Sequence, residues 1–145
     1  MALYSQGQVS TVATAAQACF DIKASANISF RLLELGWSTA AATSAIYGIG
    51  RPANDGSVAQ TAPVLLQAED GNNTAAAQTG TAVAWTTAPT IPTVFLRRIN
   101  SSAVIGAGFV LVFPKGIRCD VSKGLVVWNT GTSSALANFW VVCDE

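Results

Sequence analysis

The carboxylates are the first residues in this sequence that could do chemistry, because the chain contains no histidine. Without histidine, serine and cysteine nucleophiles lose their usual base, and zinc and iron sites lose a common ligand. Glycoside hydrolysis needs only two carboxylates, and Glu34 and Glu69 both lie in predicted strands where they could face one cleft. Several of the eight acids lie in turns or at the carboxyl end, so we expect Glu34 to pair instead with Arg31 or Arg98. We therefore predict no catalytic residues and no enzyme activity.

Two short motifs could bind a cofactor or a metal. Residues 48–53 (GIGRPA) match the G-x-G-x-x-A pattern of dinucleotide-binding proteins after a predicted strand. Pro52 and the turn residues 54–56 prevent the helix that would bind pyrophosphate, so we interpret this motif as a strand entering a turn. Residues 70–73 (DGNN) cluster oxygen ligands, but they lack the alternating acids of a calcium loop and fit an ordinary Asx turn. The sequence therefore predicts neither a cofactor nor a metal.

The three cysteines, Cys19, Cys119 and Cys143, form an odd set without C-x-x-C spacing. The amino terminus carries no basic residue before Lys23 and does not read as a signal peptide, so the expected state is reduced, buried thiols. A disulfide between two of the three remains open if the mature protein functions outside a cell.

The composition indicates contact with other proteins. Half of the 145 residues are hydrophobic and 11% are charged, against about 25% charged residues in average soluble domains. Eight basic and eight acidic residues leave no net charge, which argues against nucleic acid as a partner. The longest apolar-plus-glycine run, residues 103–113, is too short for a transmembrane helix, so no membrane association is predicted.

Alternation with period two recurs along the chain, whereas no helical stripe is sustained. Residues 28–37 change phase near Leu33, which indicates one long strand with a bulge or a strand buried on both faces. The other predicted strands are 45–50, 64–69, 81–85, 94–100, 108–113, 125–129 and 138–143. Turn residues separate them, including Pro114-Lys115-Gly116, and the long connections 52–62 and 71–80 favour Greek-key crossings. The predicted fold is an all-β, antiparallel, jelly-roll-like sandwich.

Residues 1–20 are predicted to form an extended arm, and residues 21–145 a single sandwich domain. The arm is uncharged over residues 2–18, and Val9, Thr11 and Val12 could add to the sheet edge of a neighbour.

Three further residues are predicted at subunit or shell interfaces. Arg97 and Arg98 are adjacent in a strand and so point to opposite faces, one towards solvent or a neighbour and the other into an ion pair. Trp128 lies in an apolar strand pattern that fits core or subunit packing, as do the other tryptophans.

Several runs resemble a family of small virion proteins of tailed bacteriophages. The runs that carry the resemblance are FRLLELGWS at 30–38, TAVAWTTAPT at 81–90, FLRR at 95–98, IGAG at 105–108, FPKG at 113–116, GLVVWN at 124–129 and FWVV at 139–142. The cysteines and the first 20 residues depart from this pattern.

The resemblance implies a jelly-roll or tumour-necrosis-factor-like trimer that decorates or cements the head shell. Its partners would be the major capsid protein and further copies of itself, and it would join the virion in the host cytoplasm. The alternative is a carbohydrate- or receptor-binding module of the tail or fibre, which would expose a pair of Trp or Tyr side chains on a concave face. A histidine-free glycosidase is a third hypothesis, and it would need two carboxylates about 5–9.5 Å apart.

Overall fold

The computed structural model describes residues 2–13, 17–58, 64–71, 77–133 and 135–145, and it contains strands and no helix in these ranges. Sheet A consists of β1 (Leu3–Ala13), β3 (Phe30–Thr39), β7 (Gln67–Ala68), β11 (Gly108–Cys119) and β13 (Ala135–Asp144). Sheet B consists of β2 (Gln17–Lys23), β4 (Ala45–Gly50), β6 (Val64–Leu65), β8 (Gly80–Ala82), β10 (Arg97–Ser101) and β12 (Gly124–Asn129). A two-stranded ribbon joins β5 (Ser57–Val58) to β9 (Trp85–Thr87).

All the strand pairs are antiparallel, and the pairing is nested from the ends of the chain inwards. Strand β1 pairs with β13, β2 with β12, β3 with β11 and β4 with β10. Sheet A has the order β11-β3-β13-β1-β7, and sheet B has the order β10-β4-β12-β2-β8-β6. Successive long strands alternate between the sheets, as they do when one long hairpin is wound around a core. The predicted all-β, antiparallel sandwich is confirmed.

The core lies between the sheets and is rich in aromatic rings. Phe20 of sheet B stacks on Phe139 of sheet A with ring centroids 5.1 Å apart. Tyr47 meets Phe139 edge-on at 5.7 Å and Trp37 edge-on at 5.3 Å. All four side chains are almost fully buried, and such aromatic pairs add to the hydrophobic gain from burial.

Two irregularities shape the strands of sheet A. In β3, Glu34 lies opposite Val142 and Leu32 lies opposite Cys143, so Leu33 is an extra residue and the predicted bulge is confirmed. The expected turn at residues 114–116 is wrong, because β11 continues to Cys119 with a register shift between Val112 and Ile117. Gly116 adopts a φ of 65°, and the edge position of β11 tolerates the missing N–H of Pro114.

The amino-terminal residues differ from the predicted arm. Residues 3–10 of β1 pair along their length with β13 of the same chain, and Tyr4 is buried in the core. Strand β2 lies in the interior of sheet B, so the expected domain boundary at residue 20 falls within a strand. The inward positions of β1 are mostly polar, and Gln8 accepts a hydrogen bond from the buried Thr81 at 2.9 Å. This polar inner face removes the apolar alternation by which a strand is recognised.

Candidate interaction surface

The two glutamates considered for glycoside hydrolysis lie far apart in sheet A. Glu34 shares a cross-strand row with Val142, Ser5 and Gln67, and Glu69 lies beyond Gln67. Three strand spacings separate Glu34 from that end of the row, about 14 Å. This exceeds the roughly 5–9.5 Å of paired glycosidase carboxylates, so these two acids cannot form a catalytic pair.

Glu34 also does not pair with an arginine. Its Oε1 accepts a hydrogen bond of 2.9 Å from Nε1 of Trp140, its neighbour across β3 and β13. The expected ion pair with Arg31 or Arg98 is therefore wrong. Arg31 donates instead to the carbonyl oxygen of Lys115, and Arg98 donates to Oγ1 of Thr130.

The glycines of the G-x-G-x-x-A motif accommodate bulky side chains. A Cβ on Gly48 would lie 2.6 Å from the Phe95 ring, and one on Gly50 would lie 3.1 Å from Pro92. The segment is strand β4 followed by an irregular connection, with no helix to bind a phosphate. Residues 72 and 73 of the DGNN sequence lie outside the described residues. Within the described ranges, no three His, Cys, Asp or Glu side chains lie together as metal ligands would.

The three cysteines are free and buried, in agreement with the prediction of reduced, buried thiols. Burial raises the pKa of Cys119 to about 11 and raises the pKa of Cys19 and Cys143 further. Cys119 and Cys143 lie on β11 and β13, on opposite sides of β3, about 10 Å apart across two strand spacings. A disulfide needs Cα atoms within about 7 Å, so this pair cannot be bridged.

Asp21 is a buried carboxylate that sequence reasoning missed. It is 1% exposed on the outward face of β2, and its Oδ1 has no hydrogen-bond partner among the described residues. The indole N–H of Trp85 faces this carboxyl without reaching hydrogen-bonding geometry. Burial raises the pKa of Asp21 to about 7; Lys23 opposes this shift and Asp55 adds to it. Burial leaves no room for a substrate at this acid.

A cleft of about 380 Å³ opens beside Asp21 at one end of the sandwich, and it contains charges of both signs. Lys123 pairs with Asp55 at 3.3 Å, and Arg118 at the rim pairs with Asp120 at 3.1 Å. Arg51 donates to the carbonyl oxygen of Arg118 at 2.8 Å. These charged groups pair with one another or with backbone carbonyl oxygens. The cleft therefore carries no excess of positive or negative charge that would attract a charged ligand.

The outer face of sheet B is covered by the chain itself. Ala18, Val126 and Trp128 are buried there in a second apolar cluster, under Trp85 and Phe95. The Phe95 ring meets Trp128 edge-on at 5.9 Å. The segments around Trp85 and Phe95 therefore act as a third layer, and sheet B contributes no large apolar surface at this cluster.

The outer face of sheet A has no such cover among the described residues. Its central apolar positions are Val110, Gly36 and Trp140 in one row, and Val112 and Val142 on either side of Glu34 in the next. Val110 and Val112 are 53% and 64% exposed. We call these five residues the apolar face. The outward positions of an antiparallel sheet are normally polar, and apolar patches of this kind mark contacts with other proteins.

Trp140 is fixed in place on the apolar face. Its indole lies across Gly36, where a Cβ would stand 2.1 Å from the ring carbons. The hydrogen bond from Nε1 to Glu34 uses the nearest carboxylate on this face. The ring is held flat by a glycine and a hydrogen bond, which reduces the entropy lost when a partner packs on it.

The structure separates the six residues predicted at interfaces. Val9 is 48% exposed on the outer face of sheet A, whereas the side chains of Thr11 and Val12 lie outside the described residues. Arg97 and Arg98 are both exposed on β10, and no described carboxylate of the same chain pairs with either of them, so a buried ion pair at an interface stays a prediction. Trp128 is fully buried within its own chain and cannot contact a partner.

Comparisons with protein-family models, curated proteins and solved structures give no match to this chain. The resemblance to bacteriophage virion proteins therefore stays a prediction. No helix in the described part of the chain is long and apolar enough to cross a membrane.

Proposed function

We propose that this protein is a structural component of a virion, a trimer that decorates or cements the head shell by contact with the major capsid protein. The observation that carries the proposal is the difference between the two outer faces of the sandwich. Trp85 and Phe95 cover one face, whereas no described residue outside sheet A covers its apolar face, where Val110 and Val112 are exposed. Assignment to a virion rests on the sequence resemblance.

The strand order supports the jelly-roll part of the proposal. Eight long strands pair in nested fashion, and each sheet contains four of them. A jelly roll is built from eight strands in two Greek keys, and the nested order β1-β13, β2-β12, β3-β11 and β4-β10 is what that winding produces.

The apolar face is the proposed contact between copies around the three-fold axis. Burial of the exposed parts of Val110 and Val112 would contribute about 1 kcal/mol each per copy. Trp140 adds a large, preorganised surface beside them. Each gain is modest, but a shell repeats it at many positions and so multiplies it.

The two ends of the sandwich differ in charge, which supports an orientation on the shell. The connections 40–44, 102–107 and 130–133 meet at one end and carry no charged residue. Val104 and Ile105 are 61% and 68% exposed there. The opposite end carries Arg51, Asp55, Asp120, Lys123 and Glu145. We assign the uncharged end to the capsid protein and the charged end to solvent.

A carbohydrate- or receptor-binding module is the second candidate, and the flat, outward Trp140 favours it. Trp37 and Trp128 are fully buried, so the described residues do not present the pair of exposed rings expected for such a site. Binding of this kind predicts that a glycan array shows specific signals for the protein and that Trp140→Ala removes them. An array without signal would count against this candidate.

Three lysine substitutions test the main proposal. Light scattering after size exclusion should give the mass of three chains, and Val142→Lys should shift it to one chain because it places a charge in the apolar face. Ile105→Lys should leave the trimer intact and weaken binding to heads that lack the protein. Val121→Lys is the matched control, since Val121 is 47% exposed in a turn at the charged end, and it should change neither measurement.

A clean monomer at micromolar concentration would contradict the trimer. Unchanged binding of Ile105→Lys to heads would contradict the assigned orientation. A count of copies in purified virions addresses the location, because hundreds of copies fit the head shell and a few copies would instead fit the tail.

A further inference from the structure

We propose that the free edge of β11 pairs, strand to strand, with β11 of a second copy of this chain. Strand β11 is the first strand in the order of sheet A, so one of its edges has no partner among the described strands. Over residues 108–112 it runs in continuous register with β3. The N–H and C=O groups on its other side form a straight template for a further strand, about 20 Å long over residues 108–113.

The strands at the other three ends of sheets A and B differ from β11 in length or in charge, although β7 covers β1 only at Tyr4 and Ser5. Strands β6 and β7 contain two residues each, which is too short to template an added strand. Strand β10 carries the exposed Arg97 and Arg98, whose charges oppose burial against another strand. Short length and charge are the usual protections of natural edges.

Residues 108–113 of β11 have none of these protections. Their sequence is GFVLVF, and no charged residue occurs between Arg98 and Lys115. Phe109, Val110 and Val112 are all at least 44% exposed, on both sides of the sheet. The protections appear only after this segment, where Pro114, Lys115 and the register shift interrupt the strand.

A second copy is the occupant because this segment is complementary to itself. When two antiparallel β11 strands are related by a two-fold axis, the inward residues of one copy lie beside the inward residues of the other. On the outer face, Val110 or Val112 of one copy then lies beside Val110 or Val112 of the second copy. Residues 108–113 of each copy contain no charged side chain that would have to be desolvated. The joined sheets A would form one continuous ten-stranded sheet, and the apolar edge would be removed from water on both copies.

The inference rests on the proposed function in one respect, namely that the protein works as a homo-oligomer. The contact differs from the three-fold contact of the apolar face because it joins the edges of two sheets, although Val110 and Val112 contribute to both. A two-fold edge contact joins two chains, and where trimers also form it links one trimer to the next.

The strand pairing can be observed directly by amide hydrogen exchange of the full chain at two protein concentrations. In an antiparallel pair, the N–H groups of alternate residues point to the new partner. Every second amide of residues 108–112 should therefore exchange about tenfold more slowly at high concentration, while the amides between them, already bonded to β3, should not change. If each of these amides exchanged at the same rate at the low and the high protein concentration, the proposal would be overturned.

Val112→Lys and Val142→Lys separate the edge contact from the face contact. Both replace an outward valine of sheet A, but β3 separates the strand of Val142 from the free edge. Val112→Lys should abolish the concentration-dependent protection and, because Val112 also belongs to the apolar face, it should give the mass of one chain at every concentration. Val142→Lys should keep the alternate protection. An identical dependence of mass on concentration for the wild type and Val112→Lys would refute edge pairing even if the trimer forms.

Discussion

Replacement of the buried carboxyl of Asp21 by an amide is expected to stabilise the protein at neutral and alkaline pH. Asp21 is 1% exposed beneath Trp85, and its Oδ1 has no hydrogen-bond partner among the described residues. Burial disfavours the charged form and raises the pKa from 3.8 to about 7, even though Lys23 partly compensates. Asp21→Asn keeps the shape of the side chain and removes the charge.

The size of the effect follows from the linkage between protonation and folding. The folded state holds the proton of Asp21 more tightly than the unfolded state, so folding loses stability as pH rises from about 4 to about 7, and no more is lost above that. At about 1.4 kcal/mol per pH unit, the loss reaches about 4 kcal/mol at pH 8 and is below about 1 kcal/mol at pH 4. Asp21→Asn should recover most of this loss.

Urea denaturation of the wild type and Asp21→Asn at pH 4 and pH 8 measures this difference. The variant should be more stable by several kcal/mol at pH 8 and nearly equal to the wild type at pH 4. Asp120→Asn is the control, because its carboxylate is 70% exposed and pairs with Arg118 at the surface, where such a pair contributes about 0–1 kcal/mol. A variant that gains no stability at pH 8, or gains equally at both pH values, would show that burial of Asp21 does not penalise its charge.

Three further predictions concern packing. Gly36→Ala should destabilise the fold by about 1–3 kcal/mol and shift tryptophan fluorescence to the red, because the new methyl displaces Trp140, whereas Gly7→Ala, with 3.9 Å to its nearest neighbour, should do neither. Tyr4→Ala should cost about 3 kcal/mol in urea denaturation, and deletion of residues 2–10 should abolish the cooperative thermal transition; a truncated chain that melts normally would mean that β1 is an accessory arm. The three thiols should resist maleimide at pH 8 until the protein is unfolded, because burial raises their pKa, and stoichiometric labelling of the native protein would contradict this.

Sequence reasoning located the strands whose inward residues are consistently apolar. The prediction of residues 45–50 matches β4, where Ala45, Tyr47 and Ile49 face the core, and the phase change at Leu33 correctly indicated a bulge. Strand β1 was missed because its inward positions include the polar residues Gln8 and Ser10, and Gln8 has its hydrogen-bond partner, Thr81, far away in the sequence. A local pattern cannot show that a polar residue has a partner in the opposite sheet.

The candidate surface could be predicted only in part, for a similar reason. The composition indicated protein contacts, but the apolar face depends on cross-strand neighbours such as Val110, Gly36 and Trp140, which are far apart in the chain. Trp128 and Trp140 both occur in apolar strands, and their sequence contexts do not show which one is covered. The structure shows that Phe95 covers Trp128, whereas Trp140 faces outwards.

The distribution of charge gives the low charge content a structural explanation. Charged side chains concentrate at the end of the sandwich that carries the cleft beside Asp21, where Lys123 pairs with Asp55 and Arg118 pairs with Asp120. Glu34 lies between Val112 and Val142 on the apolar face, and its Oε1 accepts a hydrogen bond from Nε1 of Trp140. In a free monomer, a face with few charged residues brings no advantage, because additional charges on it would improve solubility. A chain that contacts other proteins through a face with few charges does gain, because Glu34 is then the one central carboxylate to be desolvated when the apolar face is covered. The low charge of the apolar face therefore supports the proposal of an assembled protein by an argument that does not depend on the sequence resemblance.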